Sequence, residues 1–327
     1  MAAPFIMIRL LGLLVLLIPA ICMGQNPEPV ETIRVTSELV DLQVGVVSLN
    51  RPNPFPPLGQ KDFMVLEDGQ PQEITFFAAA EAPFDLVLLL DLSGSTSDKL
   101  KLIRSSAKRF VDATRPTDRV SVVTFTNVPL IACPLTLDRK LLKDSIDDIE
   151  KPAGGTNFWD SLRHVLSTLH NADSDDRRSA IVVMTDGVDN ALPDVSGEGS
   201  RTTFEELLSE VRSSEALVFP IYLDTESEEV KRHRTPRSAF VLSRDQLAQL
   251  AATSGSQLYR ANKIKDLDEV YEQVIGDLGR VYSIGYRPAN PVRDGKWRSV
   301  SVQIVDRGDL RVRTKSGYFA RSLTTSN

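Results

Sequence analysis

Five oxygen-bearing side chains stand in three short strings that a fold could gather in one place: Asp91, Ser93 and Ser95 in DLSGS, Thr156 in GGTNF, and Asp186 in TDG. A carboxylate with two hydroxyls offers hard donors and no nitrogen or sulfur, which suits Mg2+ at ~2.1 Å and does not suit zinc. Gly94 lets the first string turn tightly around an ion. Asp and Ser are also ordinary turn and helix-capping residues, so DxSxS alone is a weak signal, and its weight comes from the other two strings. Brought together, the three make an all-oxygen centre with only two carboxylates. That leaves a divalent ion underneutralised. Mg2+, with Mn2+ or Ca2+ as alternatives, then keeps an exchangeable position that a carboxylate from another molecule can take.

Other chemistry-bearing residues point to less. An Asp at the tip of an apolar strand beside Mg2+ also begins haloacid-dehalogenase-like phosphatases, with Asp91 as nucleophile. Those enzymes need a second Asp two residues on as general acid, and Ser93 stands there. A serine hydrolase lacks its GxSxG elbow. His164 and His170 are six apart on one expected helix, roughly 240° around its axis, and cannot form an i, i+4 zinc pair. Asp189 reads as solvated, Trp159 as a packing residue, and the basic run KRHRTPR at 231–237, which includes His233, as a solvated loop whose field the neighbouring ESEE cancels. Of two cysteines, Cys22 and Cys133, the second reads as a small buried hydrophobe.

The elements that must position the three strings follow from hydrophobic rhythm. Residues 85–91 (DLVLLLD), 120–125 (VSVVTF), 180–186 (AIVVMTD) and 216–224 (ALVFPIYLD) are continuous apolar runs, the mark of strands buried on both faces of a parallel sheet. Helices are expected between them at 98–114, 139–149, 158–169, 203–214, 245–253 and 266–278. This is a doubly wound, mostly parallel α/β domain with flanking helices, and ligands bind such sheets beyond the carboxyl ends of the strands, where DLSGS, GGT and TDG fall. Residues 32–77 and 281–320 instead alternate with period two, with Asp68-Gly69 as a hairpin turn. Each is marginal alone. They are expected to pair as one β-sandwich into which the α/β domain is inserted, giving segments 25–80, 81–280 and 281–320 and a tail at 321–327.

The chain has 327 residues, 42% apolar and 25% charged, a balance for about two folded domains. Acidic residues outnumber basic ones 44 to 38, so the chain offers no broad basic face for nucleic acid. Residues 9–20 (RLLGLLVLLIPA) have the shape of an export signal, too short in their apolar run to span a membrane. Cleavage is expected after Gly24, leaving residues 1–24 as a signal peptide and the mature protein secreted or periplasmic; an uncleaved anchor is the alternative.

DLSGS, GGT and TDG, in this order on strand and loop ends, resemble the metal-ion-dependent adhesion site (MIDAS) of the von Willebrand factor A (vWA) domain family over residues 84–280. The resemblance implies a Rossmann-like vWA fold in which Ser93, Ser95 and Thr156 bind the ion directly or through water, while Asp91 and Asp186 orient waters and hydroxyls. It further implies a non-enzymatic binding module, without adhesion in the animal-cell sense: a protein partner supplies an Asp or Glu to complete the shell, and no small-molecule substrate is expected, nor, from the charge balance, a nucleic acid. LEDGQPQEITFF, YSIGYRP and SGYF in the flanking segments resemble secreted bacterial VWFA-related proteins. A metal-free scaffold of the cell envelope is the remaining rival.

Overall fold

The computed structural model describes residues 39–49, 55–96, 99–150, 154–170, 177–232 and 235–320. The expected signal peptide with Cys22, the tail at 321–327 and His233 lie outside the described residues. In chain order the elements are β1 (Val40–Ser48), β2 (Phe63–Glu67), β3 (Gln70–Gln72), β4 (Ile74–Ala78), β5 (Phe84–Asp91), α1 (Leu100–Ala113), β6 (Arg119–Phe125), β7 (Pro129–Thr136), α2 (Arg139–Asp147), α3 (Phe158–His170), β8 (Arg178–Thr185), α4 (Phe204–Ser213), β9 (Leu217–Leu223), α5 (Glu226–Lys231), α6 (Arg237–Ser254), β10 (Tyr259–Ala261), α7 (Leu267–Leu278), β11 (Val281–Tyr286), β12 (Trp297–Ile304), β13 (Leu310–Arg313) and β14 (Gly317–Phe319). No helix among the described residues is long and apolar enough to cross a membrane.

The four apolar runs become β5, β6, β8 and β9, the middle of a six-stranded sheet ordered β10-β9-β8-β5-β6-β7. Its strands are parallel except β7, which returns antiparallel along β6. Successive side chains of a strand point to opposite faces, and β5 divides accordingly. Leu86, Leu88 and Leu90 enter the core built with Ile103 and Phe110 of α1 and Leu142 of α2. Val87 and Leu89 enter the opposite core with Leu162 of α3, Leu207 of α4 and Leu247 of α6. Each such side chain removed from water contributes roughly 1.5–3 kcal/mol, which explains why the runs carry no polar alternation.

Strands before and after this sheet form two four-stranded layers, β13-β1-β11-β4 and β14-β12-β2-β3, with a shared core that includes Val44, Phe63, Val65, Tyr282, Ile284 and Val302. Each layer mixes strands from both ends of the chain, so neither end closes a sheet alone. Asp68 and Gly69 both take positive φ, +47° and +80°, the backbone of the tight turn joining β2 to β3. Across the core, the buried carboxylate of Glu67 accepts hydrogen bonds from Tyr286 (2.7 Å) and Tyr318 (2.8 Å). A residue of the LEDG string thus pins residues of the GYRP and SGYF strings.

Three details depart from the sequence reading. β7, PLIACPLT, occupies a stretch for which no element is expected, and as an edge strand it tolerates its two prolines. α6 begins at Arg237 rather than 245, directly after Pro236, whose extended backbone suits the residue before a helix. α5 occupies a stretch for which no element is expected, and its Glu229 is buried.

Both hydroxyls donate to the same oxygen of the buried Glu67 carboxylate, so removing one leaves that oxygen a single donor out of water. Tyr286→Phe is expected to cost about 1–3 kcal/mol, read as a lower urea midpoint with an unchanged slope; an unaltered midpoint would mean that the bond adds nothing to holding the two chain ends together.

Candidate metal centre

β5 and β8 lie side by side in parallel register, Leu90 opposite Met184, so Asp91 at the end of β5 and Asp186 just beyond β8 emerge at neighbouring strand ends. Asp91 is wholly buried. One of its oxygens accepts from the Ser93 amide (2.9 Å) and the other from the Thr185 hydroxyl (2.6 Å). Asp186 accepts from Ser95 (2.9 Å), Thr225 (2.7 Å) and the Val188 amide (3.1 Å). The Ser93 and Ser95 hydroxyls are 3.2 Å apart. Above them opens a cleft of ≈ 430 Å³ whose walls include Ser93, Ser95, Thr156, Asp186, Asn190 and Glu229. Four of the five residues singled out from the sequence therefore face one cleft, and Asp91 lies beneath, bonded to its floor.

Thr156 reaches the rim on the loop before α3. Its backbone N–H donates to the Asn190 side-chain oxygen (3.3 Å), and its carbonyl accepts from the Asn190 amide (2.9 Å). The Gly155 amide donates to Asn127 Oδ1 (2.9 Å). Gly154 has φ +139°, and a Cβ there would stand 2.3 Å from that same oxygen, so the loop requires glycine.

The sequence reading takes Asp189 as solvated, and the structure corrects this. Asp189 is fully buried and accepts from the amides of Trp159 (3.0 Å), Ala191 (2.8 Å) and Ser200 (3.0 Å) and from the Ser200 hydroxyl (2.6 Å). It ties α3 to the loop that follows β8. Trp159 packs inward against Phe204, and His164 and His170 are exposed. Cys133 is buried. Sequence reasoning missed Thr185, Thr225, Asn127, Asn190, Ser243, whose hydroxyl donates to the Asp186 carbonyl (3.0 Å), and Glu229. Thr225 follows β9 at the carboxyl edge of the sheet, where position alone gives polar residues weight. Ser243 sits mid-helix and carries no such signal.

Burial, and then the neighbouring charge of Asp186, push Asp91 up to about 7 despite the bonds from Thr185 and Ser93. Burial also raises Asp186, against the bonds from Thr225, Val188 and Ser95. At the other end of β5, Asp85 is equally buried but is held by Arg119 and Arg177, the latter at 2.7 Å. Neither Asp91 nor Asp186 has such an ion pair with a described Arg or Lys. Among the described residues no three His, Cys, Asp or Glu side chains are gathered to hold a metal, so the cleft's capacity for one rests on hydroxyl oxygens over two carboxylates. Hard oxygens beside uncompensated negative charge fit a divalent cation of the Mg2+ kind.

The family model for the von Willebrand factor type A domain matches residues 85–273, more than half of the chain. The chain belongs to this family. It is 23% identical over 232 residues to a protein of Nocardia farcinica described only as a UPF0353 protein, covering 66% of this chain and 69% of that one. Among solved structures it is similar to a von Willebrand factor type A protein from Catenulispora acidiphila (13% identity, TM-score 0.47, 83% of this chain and 77% of that one). It is also similar to proximal thread matrix protein 1 of the mussel byssus, solved with a zinc-occupied MIDAS motif (17% identity, TM-score 0.44, 60% of this chain and 48% of that one).

The raised carboxylate has a consequence for metal-stripped protein. Folded Asp91 keeps its proton to about pH 7, whereas its ordinary value is 3.8. The folded state therefore binds more protons between these values, and stability falls as pH rises from about 4 to about 7, at up to about 1.4 kcal/mol per pH unit. In EDTA, urea midpoints across this window should fall more steeply for the wild type than for Asp91→Asn. Parallel pH profiles would contradict the assignment.

Proposed function

We propose that this chain is an exported, non-enzymatic protein-binding module that engages an Asp or Glu of a protein partner through a Mg2+ held at its cleft. The observation that carries this reading is the pair of buried carboxylates, Asp91 and Asp186, left without a basic partner beneath a rim of hydroxyls. The same strand neutralises its other buried aspartate with two arginines. Ser93, Ser95 and Thr156 would hold the ion, with Asp91 and Asp186 orienting hydroxyls and water. A bound Mg2+ supplies positive charge with exchangeable positions that an incoming carboxylate can occupy. The chain's own groups do the rest. Thr185 and Thr225 fix the two carboxylates by donating to them, and Asn190 fixes the loop that carries Thr156.

A phosphatase would need Asp91 exposed to a substrate and an acid two residues on. Asp91 is buried with both oxygens engaged, and Ser93 does not protonate a leaving group at neutral pH. Export to the periplasm or the exterior is supported by the apolar N-terminal segment, and a protein partner rather than nucleic acid by the chain's net negative charge.

Mg2+ at about a hundred times its Kd should stabilise the wild-type protein by about 2.7 kcal/mol over its chelated form, read as a raised Tm. Asp91→Ala and Thr156→Ala should stay folded and lose most of that rise. From envelope extracts, the wild type should capture a partner that chelator releases and Asp91→Ala should not. An unchanged Tm favours the metal-free scaffold, and chelator-insensitive capture rules out the metal-mediated contact.

A further inference from the structure

The short helix α5 follows β9 and is tied to the cleft at its start, where the Thr225 hydroxyl donates to Asp186 (2.7 Å). Its three glutamates face different surroundings. Glu226 is held by Arg244 (2.7 Å) and Arg237 (3.0 Å), away from the cleft walls. Glu228 is largely exposed and meets Lys99 (3.1 Å). Glu229 alone turns into the cleft wall, where it is 4% exposed and paired with Arg232 (3.1 Å). Its charge is felt at the floor, where it is among the influences that raise Asp186. A carboxylate buried beside two others is unfavourable unless positive charge offsets it. Arg232, more exposed than its partner, supplies only part. Glu229 is not gathered with the two aspartates closely enough to ligate the same ion with them.

We propose that Glu229 is the charge-tuning residue of the cleft: its carboxylate strengthens the hold on a divalent cation from outside the ligand shell and opposes entry of a further carboxylate, and Arg232 sets how much of that charge the cleft feels. The inference rests on the metal-centre reading above. A charge in a partly desolvated wall acts on an ion in the same cleft through a lower dielectric than water, so one carboxylate in the wall alters affinity measurably without touching the metal. The cleft thereby trades partner capture against ion retention. A monodentate acid would have to bring further contacts of its own to enter a cleft whose wall already carries the Glu229 carboxylate.

The test uses the full chain and Mn2+ alone as probe, with free Mn2+ measured by electron paramagnetic resonance at pH 8 in low salt. Glu229→Gln keeps the size of the side chain and is expected to weaken Mn2+ binding about tenfold. Arg232→Gln, which unmasks the carboxylate, is expected to tighten it, and Glu228→Gln to leave it within twofold of wild type. Opposite signs for Glu229→Gln and Arg232→Gln support the proposal. An unchanged Kd in Glu229→Gln, or an equal loss in Glu228→Gln, overturns it while leaving the metal centre intact. Should Glu229→Gln fail to fold, Arg232→Gln decides: a Kd unchanged or weaker than wild type overturns the proposal. If the wild-type chain takes up no Mn2+, the metal-centre reading fails and this one with it.

Discussion

Two carboxylates held out of water within reach of each other's charge are the constraint around which the molecule is arranged. Burial disfavours an ionised aspartate, and a second one nearby disfavours it further. The chain answers by surrounding Asp91 and Asp186 with donors: two backbone amides and the hydroxyls of Ser95, Thr185 and Thr225. Hydrogen bonds from neutral groups offset desolvation only in part, since Asp91 remains raised to about 7. Where the same strand buries an aspartate for structure alone, it supplies guanidinium groups, as Arg119 and Arg177 do for Asp85. The two ends of β5 thus differ: one buried aspartate is ion-paired, and the other has only neutral donors among the described residues.

Holding such a pair open requires a floor that does not relax. The strand ends carrying Asp91 and Asp186 belong to adjacent, almost wholly buried strands whose side chains are divided between two cores, so a one-residue slip would put each side chain on the wrong face. The opposite edge of the sheet is locked as well. Arg178 donates to the carbonyls of Ala80, Ala82 and Val281, and Arg115 to those of Ala80 and Ala82, joining the start of β8 and the turn before β6 to the β4–β5 connection and to β11. The two chain ends, interleaved in both layers of that sandwich, thus brace the side of the sheet remote from the cleft.

How much of this the sequence carries depends on how local each signal is. The four central strands were legible because burial on both faces leaves an uninterrupted apolar run, and the DLSGS, GGT and TDG strings were legible because strand ends in an open sheet are where polar residues gather. The hairpin at Asp68-Gly69 was legible because few other pairs adopt two positive φ values. Asp189 was misread for the opposite reason. An aspartate in a loop reads as solvated, and only the tertiary arrangement brings three amides and a hydroxyl around it. β7 was not legible, since its two prolines interrupt the strand pattern and only an edge position accommodates them. α5 was hidden by its charge: ESEE looks like a solvated run, and nothing local marks the one glutamate that turns inward.

The rim of the cleft is built on a different principle from its floor. Thr156 is not on a strand, and its position depends on side-chain amides reaching from two separate loops, Asn127 from the β6–β7 turn and Asn190 from the segment after β8. That segment is in turn held by Asp189, whose bonds reach both α3 and Ser200. A hydroxyl carried by such a network moves only if several neutral hydrogen bonds are exchanged, each worth about 0.5–1.5 kcal/mol net, whereas the floor moves only if two hydrophobic cores are disrupted. Any adjustment of the cleft therefore falls on Thr156 and its loop before it falls on Asp91 or Asp186. The carboxylates set the charge at the floor of the cleft, and the asparagines set how far its rim can move.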